Sequence, residues 1–155
     1  MKLSTVLLVL LLITSCKLQK EVSTSTSPKI EKVKSPRSLA ITAVLGEKDP
    51  VNSENFVVNE LSIEGNKMIL EISYIGGCAE HSFKMIGLPI PAASLQPIRT
   101  VQLVHISNND QCKEDKKVTL EVDITALAAQ KVEGKKTQLV IDAWNKKIDY
   151  IYTNN

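Results

Sequence analysis

Apolar and polar residues alternate along several short stretches of this chain, and turn-forming residues such as Gly, Pro, Asn and Asp separate the stretches. In residues 68–75 four side chains fall on one face of an extended chain: Met68, Leu70, Ile72 and Tyr74. Comparable stretches are 39–45, 56–63, 81–85, 99–106, 118–123, 137–144 and 147–152. No long stretch has the 3.6-residue period of an amphipathic helix, which disfavours a helical bundle or a βαβ enzyme fold.

The pattern predicts an all-β fold, either an antiparallel sandwich or a small barrel of about seven strands. One short helical turn is expected within residues 125–131, and residues 148–152 are expected to form an edge strand. Three prolines predict an irregular connection over residues 87–97. The mixed charges of residues 113–117 are interpreted as a turn at the surface.

Length and composition limit the function classes. A chain of 155 residues corresponds to about one domain, and 43% hydrophobic residues are enough to bury a core. The net charge of +2 is too small to indicate nucleic-acid binding, and 4% aromatic residues argue against a base-stacking surface. We therefore expect no nucleic-acid partner.

The first sixteen residues have the features of an export signal. Lys2 gives a short positive region, and the eight residues from Val6 to Ile13 are all apolar. A span of the bilayer needs about 20 apolar residues, so this run is too short to cross it but suits the core of a signal peptide. Small polar residues and then Cys16 follow the run.

The sequence Ile13-Thr14-Ser15-Cys16 resembles the lipobox of bacterial lipoproteins. The resemblance implies that residues 1–15 are a signal peptide, cleaved before Cys16, and that the Cys16 thiol is acylated and anchors the chain to a membrane without a spanning helix. It places the protein in the cell envelope. The alternative is an ordinary secretory signal with an incidental cysteine.

A tether is expected between the lipid and the folded part. Residues 17–37 are rich in Ser, Thr, Pro and Lys, so they cannot bury enough surface to fold. The predicted organisation is a lipidated Cys16 and flexible tether over 16–37, followed by a single β domain over 38–155. The tether carries a net charge of +4 and is interpreted as a solvated spacer, although it could also lie on anionic head groups. Lys17 is not the Asp that retains enteric lipoproteins in the inner membrane, which favours the outer membrane by analogy.

Two cysteines and two histidines form the most informative cluster of the mature chain. They are Cys78, His81, His105 and Cys112. Because an exported protein meets an oxidising environment and two cysteines remain after Cys16, the leading prediction is a disulfide between Cys78 and Cys112. The pair Gly76-Gly77 allows the backbone to bend tightly just before Cys78.

The segment 76–112 resembles a small domain of uncharacterised bacterial secreted and lipid-anchored proteins. The matching residues are Gly76-Gly77-Cys78 with His81, and the later His105 with Asp110 and Cys112. That domain has no known activity, so the resemblance implies no reaction.

A metal site is the rival interpretation of the cluster. His81 and His105, with or without the two thiolates, offer a donor set for Zn²⁺ or Cu⁺. Alternation along each strand directs both imidazoles towards apolar faces, where they could equally be core histidines bonded to the backbone, or catalytic groups. A further variant keeps the disulfide and adds Glu80 or Asp110 as a third ligand.

Familiar catalytic motifs are absent from the sequence. It contains no G-x-S-x-G elbow, P-loop, H-E-x-x-H or G-x-G-x-x-G motif. Trp144, Tyr150 and Tyr152 are interpreted as hairpin-stabilising residues in preference to a sugar- or protein-binding patch. We therefore expect a non-catalytic binding or interaction module with no cofactor, anchored to the membrane and binding another envelope protein. A Zn- or Cu-binding protein and a thiol enzyme or hydrolase are the alternatives.

Overall fold

The computed structural model describes residues 37–51, 53–90 and 96–154. The strands are β1 (Arg37–Thr42), β2 (Val44–Leu45), β3 (Phe56–Glu64), β4 (Lys67–Gly76), β5 (Ser82–Gly87), β6 (Ile98–Ile106), β7 (Glu114–Asp123), β8 (Lys136–Ile141) and β9 (Lys147–Ile151). A short 3-10 helix covers Thr125–Leu127. The signal peptide, Cys16 and the tether up to residue 36 lie outside the described residues.

The strands form two sheets, one with the order β1-β7-β4-β3 and one with the order β2-β5-β6-β8-β9. The predicted all-β sandwich is confirmed, and the sheets do not close into a barrel. β9 lies at the edge of its sheet, as predicted. The described residues include no helix that is long and apolar enough to cross a membrane.

Both sheets are mixed, where the sequence predicted antiparallel pairing alone. The parallel pairs are β1 with β7, β2 with β5, and β6 with β8. The N-terminal apolar run divides at the buried Ala43, so that β1 joins one sheet and β2 the other. This division adds to the strand count, because one predicted stretch becomes two strands.

The core fills the space between the sheets with the alternate residues that the sequence pattern identified. On the four-stranded sheet Leu70 lies opposite Leu120, and Ile72 lies opposite Val118. The facing sheet contributes Met85, Leu103, Leu139 and Ile141, and each is at most 1% exposed. Burial of such side chains is the main stabilising contribution to a domain of this size, at about 1.5–3 kcal/mol each.

The charged segment 113–117 corrects one sequence interpretation. Residues Glu114–Lys117 are not a turn, because they form the first part of β7 and pair with the end of β4. β4 continues to Gly76 and so offers backbone partners to these residues. Their side chains remain at the surface, with Lys116 half-buried and its neighbours exposed. A strand with solvated charges on both faces has no apolar alternation that a sequence pattern could detect.

Candidate functional site

Two loops cross between the sheets at the same end of the sandwich. β4 pairs with β7 in one sheet and β5 pairs with β6 in the other, so the β4–β5 and β6–β7 loops begin and end beside each other. A disulfide joins them between Cys78 and Cys112, whose Cα atoms are 5.7 Å apart. Both thiols are therefore consumed in a cross-link between the two loops.

The carboxylate of Asp110 organises both loops. Its Oδ2 accepts hydrogen bonds from the backbone N–H groups of Gly77, Cys78 and Ala79 at 2.7, 3.0 and 3.0 Å. Its Oδ1 accepts one from the N–H of Cys112 at 2.8 Å. The side chain is fully enclosed. These N–H groups, that of Ala79 foremost and then that of Cys112, hold the pKa of Asp110 well below its usual range.

The backbone conformation of the two residues before Asp110 positions its carboxylate between the loops. Asn108 and Asn109 adopt left-handed backbone angles, with φ of 55° and 59°, which Asn tolerates better than most residues. The side chain of Asn108 also donates to the carbonyl of Glu80 in the neighbouring loop. Sequence reasoning considered Asp110 only as a metal ligand, and its role as an acceptor for four backbone groups was missed.

The two histidines meet beneath this carboxylate. His81 Nε2 lies 3.0 Å from Asp110 Oδ2, and His81 Nδ1 lies 2.8 Å from His105 Nε2. The other ring nitrogen of His105, Nδ1, lies 3.4 Å from the carbonyl oxygen of Glu54. Both residues are buried, His81 to 6% and His105 to 1% exposure, as the alternation of their strands predicts.

Aromatic rings enclose the histidine pair. Tyr74 stacks on His81 with a centroid distance of 4.4 Å, and Phe83 stacks on His105 at 4.7 Å. The ring of Phe56 approaches His105 edge-on at 5.8 Å. Burial among these rings lowers the pKa of His105, and the backbone carbonyl of Glu54 opposes that shift in part.

The double glycine before Cys78 is needed for this packing. A Cβ atom at Gly76 would come within 2.5 Å of the imidazole of His81, so a larger residue would displace the ring. Gly77 has a φ of 127°, a conformation that residues with a side chain rarely adopt. The two glycines therefore allow the loop to pass close to the histidine and turn towards the disulfide.

The geometry of the histidine pair does not fit a shared metal ion. Two nitrogens bound to one tetrahedral Zn²⁺ at about 2.0–2.1 Å would lie about 3.3 Å apart, whereas His81 Nδ1 and His105 Nε2 are at hydrogen-bond distance. All four ring nitrogens already face protein atoms. The carboxylate of Glu80 is exposed and forms an ion pair with Arg37 at 3.2 Å. The metal assignment stays a prediction that this arrangement does not favour.

A shallow depression of about 320 Å³ lies beside the cluster. Its lining includes Ile75, Ser107 and Lys113 together with parts of His105 and Cys112. Ile75 is 53% exposed, and Val57 on the adjacent strand is 60% exposed. Val57 lies opposite Ser73, so Ile75 is its diagonal neighbour on the same outer face.

The C-terminal aromatic residues serve the fold in different ways. Tyr150 is fully buried, and its hydroxyl donates to Asn66 Oδ1 at 2.8 Å. Burial raises the pKa of Tyr150 to about 12. Trp144 is half-buried, and Lys146 Nζ lies 5.8 Å from the centre of its ring. Tyr150 therefore belongs to the core, and Asn66 is a buried polar residue that sequence reasoning did not identify.

The fold defines the class of the molecule: a two-sheet β sandwich of mixed topology, cross-linked at one end. No protein-family model and no curated protein matches the chain. Among solved structures it is similar to a NigD-like immunity protein from Bacteroides caccae, with a TM-score of 0.56 and 15% identity over 73% of this chain and 59% of that one. A protein of unknown function, DUF1344, from Bacteroides vulgatus has a TM-score of 0.50 and 7% identity, over 77% and 58%.

A candidate lipoprotein from Bacteroides fragilis is also similar, with a TM-score of 0.41 and 12% identity over 74% of this chain and 71% of that one. A similarity of that size carries no argument about this chain. The chain spans about three fifths of the length of the first two structures. At these identities the first two share the fold with this chain, and their functions are not transferred to it.

Proposed function

We propose that this chain is a lipid-anchored protein of the cell envelope whose β sandwich is a non-catalytic module that binds another envelope protein. The assignment as a non-catalytic binding module rests on the state of the reactive groups. The groups most able to perform chemistry, the Cys78 and Cys112 thiols and both imidazoles, are bonded to one another or to Asp110 and the backbone. They hold two loops together, and the outer surface remains for recognition.

Two features of the sequence and structure support the envelope location. Residues 13–16 resemble a lipobox after an apolar run of signal-peptide length. The Cys78–Cys112 disulfide belongs in an oxidising compartment outside the cytoplasm. The outer membrane is the proposed destination, by analogy with the retention rule of enteric bacteria.

Lipid attachment is tested by growing cells with an alkyne-tagged fatty acid and measuring label on the full-length protein. The wild-type chain should be labelled and should sediment with membranes, and Cys16→Ser should lose both properties. Thr14→Ser is the matched control, because it changes the same motif and keeps the acylated thiol. Label that persists in Cys16→Ser, or is absent from the wild type, would contradict the anchor.

The non-catalytic assignment is tested with a thiol-reactive probe on protein isolated from the envelope without reductant. We expect no labelling of Cys78 or Cys112 until a reductant is added. Labelling of Cys78 in the untreated protein would instead support a thiol enzyme, since a nucleophilic cysteine must be a free thiolate.

Partner binding is tested by placing a photo-crosslinking residue at exposed apolar positions in living cells. Exposed apolar patches are common cores of protein interfaces. The neighbours Val57 and Ile75 should give the same adduct with one envelope protein, and the control position Val132, which lies before β8, should give none. The absence of any adduct at Val57 and Ile75 would contradict a partner at this face.

A further inference from the structure

A chain of three hydrogen bonds runs through the buried end of the sandwich. It starts at Asp110 Oδ2, passes through His81 and then His105, and ends at the carbonyl oxygen of Glu54. The three contacts measure 3.0, 2.8 and 3.4 Å. Both ends of the chain are acceptors only, because an ionised carboxylate and a backbone carbonyl have no proton to donate.

The number of protons that these hydrogen bonds need gives the charge of the histidine pair. Each of the two short contacts needs one proton between its two heavy atoms. The third contact, at 3.4 Å, is longer than an ordinary N–H···O bond, but backbone hydrogen bonds to Glu54 and Asn55 favour a proton on His105 Nδ1 there as well. All of these protons must sit on imidazole nitrogens, since neither end supplies one. A neutral histidine carries one ring proton, so two neutral rings hold one proton too few.

We propose that His81 and His105 together bind one excess proton, forming a singly charged imidazolium–imidazole pair whose charge is balanced by Asp110. The proton lies on the side of His81, which faces the carboxylate, and His105 remains neutral with its Nδ1 proton directed at Glu54. The excess proton therefore lies between the two histidines, where the rival interpretation of the sequence placed a metal ion.

The groups around the pair are consistent with a single positive charge. Asp110 is ionised, because four backbone N–H groups hold it in its charged form. Tyr74 stacks face-on against His81, and the face of an aromatic ring attracts a cation. Burial disfavours a second proton on His105.

Two further charged groups lie near this end. The carboxylate of Glu54 favours a proton on His105 through its charge. The ammonium group of Lys116 interacts with Asp110 from β7, but it is already paired with Glu114 at 2.5 Å. The nearest strong counter-charge for the histidine pair is therefore Asp110.

The test counts ring protons by NMR on the full-length protein in detergent micelles, labelled with ¹⁵N at histidine. The chain has two histidines, so the spectrum should contain four ring nitrogen signals. At pH 7 we expect three protonated nitrogens and a coupling across the hydrogen bond between His81 Nδ1 and His105 Nε2. Two protonated nitrogens would mean a neutral pair, and signals that move when a chelator is added would mean a bound metal. Either result would overturn the proposal.

Two variants test whether the charge of Asp110 is needed for the third proton. Asp110→Asn removes the charge that balances the pair, and the count should fall from three protons to two. Asp115→Asn is the matched control, since this carboxylate is exposed on β7, and the count should stay at three. A third proton that persists in folded Asp110→Asn would contradict the balancing role. If that variant does not fold, the wild-type count alone decides the proposal.

Discussion

Removing the Cys78–Cys112 cross-link should cost a large share of the stability of the domain. The cysteines are 34 residues apart in the sequence. Closing a loop of that length restricts the unfolded chain by about 4 kcal/mol at 25 °C. The double variant Cys78→Ser with Cys112→Ser should therefore lose about 4 kcal/mol of unfolding free energy. With an unfolding entropy of about 0.25 kcal/mol/K for some 120 ordered residues, its Tm should fall by about 15 °C.

The assay is urea unfolding followed by circular dichroism, with a parallel thermal scan. Wild-type protein in reductant is the matched control, because it loses the same cross-link without a substitution, and it should agree with the double variant within about 1 kcal/mol. A loss below about 1 kcal/mol in both samples would show that the cross-link contributes little to the stability of the domain. It would mean that the Asp110 hydrogen bonds hold the two loops together without the disulfide.

Three other perturbations follow from the structure. Leu120→Ala should cost about 3 kcal/mol in urea unfolding, because this side chain is fully buried and leaves a cavity; a loss under about 1 kcal/mol would mean that the core is not packed there. Tyr150→Phe should cost about 1 kcal/mol of unfolding free energy through the lost hydrogen bond, and the control Tyr152→Phe should cost close to nothing. The wild type should also lose stability between pH 10 and 12, because Tyr150 ionises near pH 10 in the unfolded chain and near pH 12 in the folded one. An equal loss at alkaline pH in Tyr150→Phe would contradict this. In the unfolded chain both histidines bind protons near pH 6.5, whereas the folded pair holds one excess proton and the lowered pKa of His105 disfavours a second. The urea midpoint should therefore fall as the pH drops below about 6.5. An unchanged midpoint between pH 7 and 5 would contradict this expectation.

Much of the fold was predictable because a period of two along a strand is a local property. Residues 68–75 alternate and form the centre of β4, and its inward side chains are the predicted ones. The parallel pairs were not predictable, since strand order depends on contacts between distant segments. The start of β7 was not predicted for a different reason. Its charged side chains are solvated and show no alternation, and backbone pairing with β4 holds it in the sheet.

In the site, too, the features that depend on neighbouring residues were predicted, and a contact between distant residues was not. Compartment and cysteine count predicted the disulfide, and strand alternation predicted that both histidines face inward. The role of Asp110 was missed because its partners at 77–79 are more than 30 residues away in the sequence. One local signal was available: an Asp two residues before Cys112, after two Asn residues, is typical of a tight turn in which the carboxylate accepts a nearby N–H.

The lipid anchor and the cross-linked cluster are tested together by the intact mass of the full-length protein, isolated from the envelope without reductant or chelator and measured under native and denaturing conditions. We expect a chain that begins at Cys16 and carries acyl groups, with Cys78 and Cys112 oxidised to a disulfide and no retained ion. Two free thiols together with one metal ion that is lost on denaturation would contradict this expectation. The cluster would then be a Cys/His metal centre.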